Sequence, residues 1–161
     1  MGKVTLSSPV TGATVAGLTS PTYTITSDVF PGQNPGAQWV VTGLGGTQTG
    51  VRTSTVGNPF TLAFWRGGTM YPAPTPNPVT GVIPSDRAYN KHGAIMRTGV
   101  VPLVGQNPKM MTIRLNVEVP PGADTSDAPQ IRAAVSFFIG ALAQQASNFA
   151  DQIIAGLAPS P

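Results

Sequence analysis

The sequence has no cysteine, a single histidine and few charged residues. The absence of cysteine excludes a disulfide framework and a cysteine metal site, and one histidine cannot form a histidine-based metal site. Charged residues make up 9% of the 161 residues, against about 25% in an ordinary soluble domain. Because a surface poor in charge promotes association, we expect much of this surface to associate.

Grouped ionisable side chains, which most enzymes need, are also scarce. A serine, a histidine and an acid can be assembled from Ser85, Asp86 and His92, but spacing alone carries almost no information and they lie in a proline-rich loop. The acidic residues are scattered, and Asp124 and Asp127 fit a turn and a helix cap. The sequence therefore predicts a protein that is not an enzyme and needs no metal and no cofactor.

The chain shows no targeting or membrane-spanning segment. Its N-terminus lacks the apolar run of a signal peptide. The longest apolar helical run, at 133–143, is about half of the roughly 20 residues that span a bilayer. We expect a protein that is made in the cytoplasm and has no membrane partner.

The last third of the chain begins with an alternating strand. Apolar and polar residues alternate over 111–119, with Thr112 and Arg114 on the polar side, which is typical of a half-buried antiparallel strand. Asp127 is a predicted N-cap and Pro129 lies in the first turn. A helix is therefore predicted from about Ala128.

This helix is apolar nearly all round at 133–143, whereas a surface helix carries a single apolar stripe. Either it is a core helix, or it packs on its own sheet and on a partner subunit. Its place at the chain end favours the partner. Polar residues at 144–148 predict a bend and a second helix at 148–157, ended by Gly156. The predicted dimer contacts are Ile131, Val135, Phe138, Leu142, Phe149 and Ile153.

The chain before this strand consists of short strands and turns. The runs typical of strands are residues 3–8, 14–18, 22–27, 38–44 and 60–66. The first two predict a hairpin around a turn at 9–12. A proline-rich loop is predicted at 71–109, with one broken strand at 94–104. The result is a single α+β domain over residues 1–161: an N-terminal hairpin at 1–20, an antiparallel meander sheet at 21–120 and C-terminal helices at 126–157.

Basic residues concentrate in the sheet half of the chain. Between residues 51 and 117, Asp86 is the only acid, and the basic residues are Arg52, Arg66, Arg87, Lys91, Arg97, Lys109 and Arg114. Such a region can face a polyanion. The alternative is a scattered set of solvated side chains, and this interpretation is favoured for Arg87, Lys91 and Arg97, which lie in the predicted loop.

The order of elements resembles the coat proteins of single-stranded RNA bacteriophages, the levivirus-like family. The most specific match is Leu115-Asn116-Val117-Glu118 on the final strand. The aromatic-Thr-aliphatic run at 60–62 and the preceding strand at 38–42 are similar to the family's middle strands. The order of strands and helices matches the family over nearly the whole chain, whereas the runs of matching sequence are short.

The resemblance implies a homodimer whose sheets join edge to edge and whose helices cross onto the partner. Dimers of the family assemble into an icosahedral shell, and the loop at 71–109 resembles the one around the symmetry axes. The inward sheet face contacts single-stranded viral RNA, and in many members it binds a hairpin that represses replicase translation and marks the genome for packaging. The implied location is the virion, assembled in the bacterial cytoplasm.

The RNA-binding positions that the resemblance implies are Asn116, Glu118 and Thr61, and Arg114 lies beside them. Thr112 on the same strand face completes the predicted set, with Arg52, Arg66, Lys109 and Arg114 as nonspecific phosphate contacts. On the two middle strands, the family's basic or hydroxyl positions are occupied here by Val41, Gly43, Gly45 and Ala63. This departure favours nonspecific phosphate contact over recognition of one hairpin. A purely structural alternative for Arg114 and Glu118 is a cross-strand ion pair in a solvated sheet.

Two other function classes fit the composition. A tail or fibre component shares the β-rich, low-charge pattern without RNA. A small β-rich ligand-binding module predicts a monomer with a pocket, and the apolar helix disfavours it.

Overall fold

The computed structural model describes residues 4–84, 88–156 and 158. Within these ranges, a six-stranded antiparallel sheet in chain order precedes three helices, which confirms the α+β prediction. The strands are β1 (Val10–Thr11), β2 (Thr19–Asp28), β3 (Gly36–Thr47), β4 (Phe60–Arg66), β5 (Asn90–Val100) and β6 (Lys109–Val119). The helices are α1 (Ala123–Ser126), α2 (Ala128–Gln144) and α3 (Ala146–Ala155).

The register gives the sheet two faces of opposite character, because directly paired residues point to the same side. The polar face carries Thr26, Asp28, Gln38, Val40, Thr61, Ala63, Trp65, Lys91, Arg97, Thr112, Arg114, Asn116 and Glu118. The apolar face carries Ile25, Trp39, Val41, Leu62, Phe64, Met96, Met111, Ile113, Leu115, Val117 and Val119. The alternation in β6 is therefore confirmed.

Two aromatic pairs pack on the apolar face. Trp39 and Phe64 meet edge to face with ring centroids 6.1 Å apart, and Tyr23 and Phe60 do so at 5.8 Å, both within the favourable range for such pairs. Burial raises the pKa of the Tyr23 hydroxyl. These contacts join β2, β3 and β4 into one packed region.

The helices reach from one edge of the sheet to the other. At the β6 edge, Val117 and Val119 line a cavity together with Ile131 of α2, so α2 begins over the apolar face. At the other edge, the backbone N–H of Ala16 donates to Ser147 Oγ at 3.0 Å. A helix of 17 residues is roughly 25 Å long, close to the roughly 24 Å width of six strands.

One copy of the chain buries very little of its apolar surface. The buried apolar side chains among the described residues are Val41 and Ala63, and no described residue of the helices is buried. The chain exposes 11487 Å², whereas a compact monomer of 16.5 kDa exposes roughly 7,500 Å². The excess, roughly 4,000 Å² for one chain, is far above the roughly 800 Å² per partner that a standard-size protein interface buries.

The N-terminal hairpin differs from its prediction. The predicted turn at 9–12 contains β1 itself, where Val10 pairs with Tyr23 of β2. The run at 14–18, predicted as a strand, forms a connecting turn in which the Leu18 N–H donates to the Val15 carbonyl at 3.1 Å. Gly17 in this turn has a φ of 83°, and such a left-handed residue ends an extended run.

The predicted loop at 71–109 contains a full strand. β5 occupies residues 90–100 and pairs with both β4 and β6. The strand predicted at 94–104 therefore exists, but it begins and ends four residues earlier than predicted. The prolines at 72–84 lie outside the strands, as predicted. Between β4 and β6, the described residues outside β5 belong to two connections, 67–84 with 88–89, and 101–108.

The helix boundaries are close to those predicted. α2 begins at Ala128 with proline in its first turn, and Gly156 caps α3 with a φ of 67°. Asp127 is the N-cap residue, but its side chain makes no capping hydrogen bond. α3 begins two residues before the predicted start, and the predicted last residue, Leu157, lies outside the described residues. No helix in the described part of the chain has the length and apolar content that a bilayer span requires.

Gly46 allows a test of backbone packing within the sheet. Its φ is 74°, and a Cβ there would collide with the carbonyl oxygens of Thr19 and Ser20. We expect Gly46→Ala to lower the free energy of unfolding by about 2–5 kcal/mol, from left-handed strain and overpacking together. Denaturant unfolding at one fixed protein concentration measures this loss.

Gly50→Ala is the matched control. Gly50 has a φ of 83°, but nothing lies within 4 Å of its Cβ position, so only the left-handed strain of about 1–2 kcal/mol applies. Equal losses in the two variants would show that the backbone contact at Gly46 contributes nothing.

Candidate nucleic-acid interface

The centre of the polar face is a row of three side chains on adjacent strands. Thr61 of β4 pairs directly with Arg97 of β5, and Arg97 pairs with Thr112 of β6. Thr61 is 9% exposed, while Arg97 and Thr112 are half-buried. A guanidinium between two hydroxyls presents several donors to an anion at one place.

The polar side chains of β6 lie beside this row. Arg114, Asn116 and Glu118 alternate along the strand and are exposed. Arg114 pairs across the ladder with Ile95, and Asn116 pairs with Gly93, so neither meets a charged side chain on its direct partner. The Arg114 guanidinium therefore remains available to a phosphate.

Glu118 forms an ion pair across two strands. Its Oε1 lies 3.6 Å from Nζ of Lys91 on β5, and the side chains of Glu118 and Lys91 are 56% and 61% exposed. Glu118 therefore makes the solvated cross-strand ion pair of the structural alternative, with Lys91 as its partner, while Arg114 lies on the same strand as Glu118 and takes no part in this pair. A pair so exposed is worth well under about 1 kcal/mol, so it does little to hold Lys91 in place.

The opposite side of the polar face is acidic. Asp28 of β2 accepts a hydrogen bond from Gln38 Nε2 at 2.8 Å and another from the Val29 N–H at 2.8 Å. The Gln38 bond and then the Val29 bond lower the pKa of Asp28, so the carboxylate stays charged at neutral pH and repels phosphate. The surface suited to a polyanion is therefore the β5–β6 side.

The sheet separates the other predicted RNA-contacting residues from this surface. Arg66 pairs with His92, and Lys109 pairs with Val100, positions that belong to the apolar face. Arg52 lies in the connection between β3 and β4, where its Nη2 donates to the Gly99 carbonyl at 3.4 Å. A single contact surface thus includes Thr61, Thr112, Arg114, Asn116 and Glu118, but not Arg52, Arg66 or Lys109.

The strand register also corrects the prediction of which residues of the middle strands, β3 and β4, face the RNA side. Val41 lies on the apolar face, and Val40 is the residue that pairs with Thr61. Gly43 and Gly45 lie against Thr24 and Thr22, since a Cβ at either glycine would contact those side chains. The β2–β3 region therefore presents threonine hydroxyls in place of the basic side chains that the resemblance implied.

Arg97 and Lys91 were missed as members of this surface, because both were assigned to a loop. The β5 sequence lacks a clean alternation: its polar-face positions include Gly93 and Ile95, and its apolar-face positions include Asn90 and His92. Hydrophobic periodicity therefore carries no signal for this strand. The available signal was the spacing of its two basic residues, Lys91 and Arg97. They are six positions apart, and residues separated by an even number of positions lie on the same face of a strand.

Of the serine, acid and histidine considered as a catalytic group, only His92 lies within the described residues. His92 is on the apolar face opposite Val117, and Ser85 and Asp86 lie outside the described residues. Within residues 4–84, 88–156 and 158, no cluster of three or more histidine, aspartate or glutamate side chains could hold a metal ion.

The predicted dimer contacts are all on α2 and α3. Ile131 is half-buried, and the exposed fractions of the others are 41% for Val135, 45% for Phe138, 44% for Leu142, 50% for Phe149 and 59% for Ile153. Phe137 and Ile154, which were not in the predicted set, are 79% and 83% exposed. The helices therefore show apolar side chains on more than one side, as predicted.

Comparison with solved structures matches the whole chain to the virus-like particle of bacteriophage ESE020, with 46% sequence identity and a TM-score of 0.91, over 97% of this chain and 100% of the other. The virus-like particle of bacteriophage NT-391 is a much weaker match, with 15% identity and a TM-score of 0.46 over 86% and 96% of the two chains, and carries no inference. No protein-family model and no curated protein matches the sequence.

The chain belongs to this family of bacteriophage coat proteins. Its role is structural: the coat protein self-assembles into the shell of a particle and is a component of the virion. The low charge and the exposed apolar helices are what a shell subunit needs, since its surface is buried by other copies of itself.

The Lys91–Glu118 pair of the coat protein makes only a small contribution to stability. In a double-mutant cycle with Lys91→Gln and Glu118→Gln, we expect a coupling free energy below about 0.5 kcal/mol, because both side chains are largely solvated. Denaturant unfolding of the four proteins measures it. A coupling above about 1 kcal/mol would show that the pair holds β5 and β6 together.

Proposed function

We propose that the coat protein forms a homodimer, that dimers close into an icosahedral shell, and that this shell encloses a single-stranded RNA genome. Assembly takes place in the cytoplasm of the bacterial host. The observation that carries the proposal is the contrast between the two faces of the sheet. One face and its helices need a protein partner, and the other aligns Arg97 and Arg114 for a polyanion.

The dimer is supported by the position of α2. This helix begins over the apolar face at the β6 edge, yet its stripe of Val135, Phe138 and Leu142 remains 41–45% exposed. The apolar face beneath it is mostly half-buried. Helices from a second copy, entering beside α2, bury both surfaces at once. Ile131, Phe149 and Ile153 extend this interface at its ends.

The edge of the sheet supports the same partner. β6 is the last strand in the order and has 11 residues, whereas β1 at the opposite edge has two. A long open edge presents unpaired N–H and C=O groups and is usually protected. Pairing of β6 with the partner's β6 satisfies these groups and joins the two sheets.

RNA contact is supported by the distribution of charge on the polar face. Arg97 and Arg114 supply phosphate contacts, and Thr61, Thr112 and Asn116 supply neutral hydrogen-bonding groups. Such contacts bind RNA with little regard to sequence. Because the face offers few groups that read base edges, we propose genome packaging as its main role, with recognition of one viral hairpin as a further possibility for test.

Phe138→Asp tests the helix interface. An unpaired carboxylate in a buried apolar contact costs several kcal/mol, so we expect the dimer dissociation constant to rise by about 100-fold or more. Particles should be lost as well. Light scattering across micromolar protein concentrations and electron microscopy of the same fractions measure both effects.

Ser136→Asp is the matched control, because Ser136 is an exposed α2 residue on the other side of the helix from the stripe. We expect it to leave the dimer intact. An intact Phe138→Asp dimer would rule out the helix interface, whereas a dimer with fibres in place of closed shells would favour a tail or fibre component.

Arg97→Gln and Arg114→Gln test the RNA surface. Each variant removes one phosphate contact, so the slope of log K against log salt should fall by about 0.7–1 per variant. Fluorescence titration with an unstructured oligonucleotide at several salt concentrations measures the slope, and the 260/280 nm absorbance ratio of purified particles reports the packaged RNA.

Arg66→Gln controls for loss of one positive charge, since Arg66 is exposed but belongs to the apolar face. Its slope should stay at the wild-type value. If all three variants behave alike, the polar face has no special role in RNA binding and only net charge matters.

A further inference from the structure

An aromatic recess lies at the β4–β5 end of the polar face. Its lining includes Trp65, Tyr71 and Tyr89, together with Asn34 and Lys91, and its volume is about 360 Å³. That volume lies within the range of roughly 300–1,000 Å³ typical of small-molecule sites. The recess is distinct from the row formed by Thr61, Arg97 and Thr112.

Trp65 closes one side of the recess. It pairs with Gly93 of β5, and a Cβ at Gly93 would lie 2.7 Å from both Cε2 and Nε1 of the indole. The ring therefore rests against the strand where a side chain is missing. Its Nε1–H is buried and has no acceptor among the described residues. Because this nitrogen is buried, it is not accessible to a molecule in the recess, and Trp65 contributes ring surface to the lining.

Tyr71 is held at the rim by its backbone. Asn90, which is 5% exposed, accepts from the Tyr71 N–H at 2.7 Å and donates to the Tyr71 carbonyl at 3.0 Å. The same end of the connection is held by a Gly67 N–H bond to the Lys91 carbonyl, at 2.7 Å. The start of the β4–β5 connection is thus fixed, although the Tyr71 side chain is 40% exposed.

Tyr89 and Lys91 complete the rim. Tyr89 is 48% exposed, and two exposed tyrosines beside one tryptophan are unusual in a chain with 7% aromatic residues. Lys91 lies on the polar face of β5, six residues before Arg97. The two residues are therefore roughly 20 Å apart along the strand. The recess and the basic row therefore lie on one continuous surface.

We propose that this recess binds an unpaired nucleobase of single-stranded RNA, a site that rests on the RNA-enclosing function proposed above. The base stacks on the ring of Tyr71 or Tyr89, an interaction available to every base because each has a π-face. Lys91, held only weakly by Glu118, contacts the adjoining phosphate.

This site adds a contact of a different kind to the polar face. Arg97 and Arg114 bind the sugar-phosphate backbone, whether or not bases are present. Stacking requires a base that is free of a duplex. The recess therefore makes the coat protein favour single-stranded over double-stranded regions, which charge alone cannot do.

The test compares two ligands of equal length and charge with the full-length coat protein. One is a ten-nucleotide oligouridine, and the other is the same sugar-phosphate chain without bases. We expect Tyr71→Ala to weaken binding of oligouridine by about tenfold, as for loss of one stacked base, and to leave binding of the abasic chain unchanged. Tyr71→Phe keeps the ring and should stay within about twofold of wild type.

The outcomes separate this site from the function on which it rests. Tyr89→Ala provides a second measurement if Tyr71→Ala fails to form particles. If Arg114→Gln weakens both ligands while neither tyrosine variant affects either, the face binds RNA without a base site and the recess is overturned. Equal weakening of both ligands by Tyr71→Ala also overturns it. If none of these variants changes binding, the RNA-enclosing function fails as well.

Discussion

An apolar surface that one copy of the chain cannot cover governs the rest of this structure. The sheet presents Trp39, Leu62 and Phe64 on the same side as α2, but the helix and the strands bury few of their side chains against each other. The free energy of burying this surface is of the order of 25 cal/mol per Å². One copy of the chain gains only part of this free energy, because many of these side chains stay partly exposed.

The charged residues of the sheet lie on both of its faces, since Arg66 and Lys109 belong to the apolar face. Arg97 and Arg114 lie on the polar face without acidic neighbours on their direct cross-strand partners. Asp28 lies at the far side of the same face with a lowered pKa. A low total charge is thus compatible with a locally basic surface, since arrangement rather than number sets the local potential.

How well the sequence predicted each element depended on whether the signal was local. The first and last residues of β4 were predicted correctly, because Pro59 and Gly67 interrupt the strand pattern immediately before and after it. The start of α2 followed in the same way from Asp127 and Pro129. β5 was missed in extent, because both of its faces mix polar and apolar residues, and its pairing with two neighbours, rather than its own composition, keeps it extended.

The sequence by itself determined the α+β class, the alternating final strand, the apolar helices and the scarcity of catalytic groups, since each depends on residue type and short spacing. Only the tertiary structure decided which residues share a surface. It placed Arg97 between Thr61 and Thr112, moved Arg66 and Lys109 to the other face, and brought Trp65 beside Tyr71. The reason is register: neighbours across a sheet are set by strand pairing, and a shift of one residue reverses the face of every side chain.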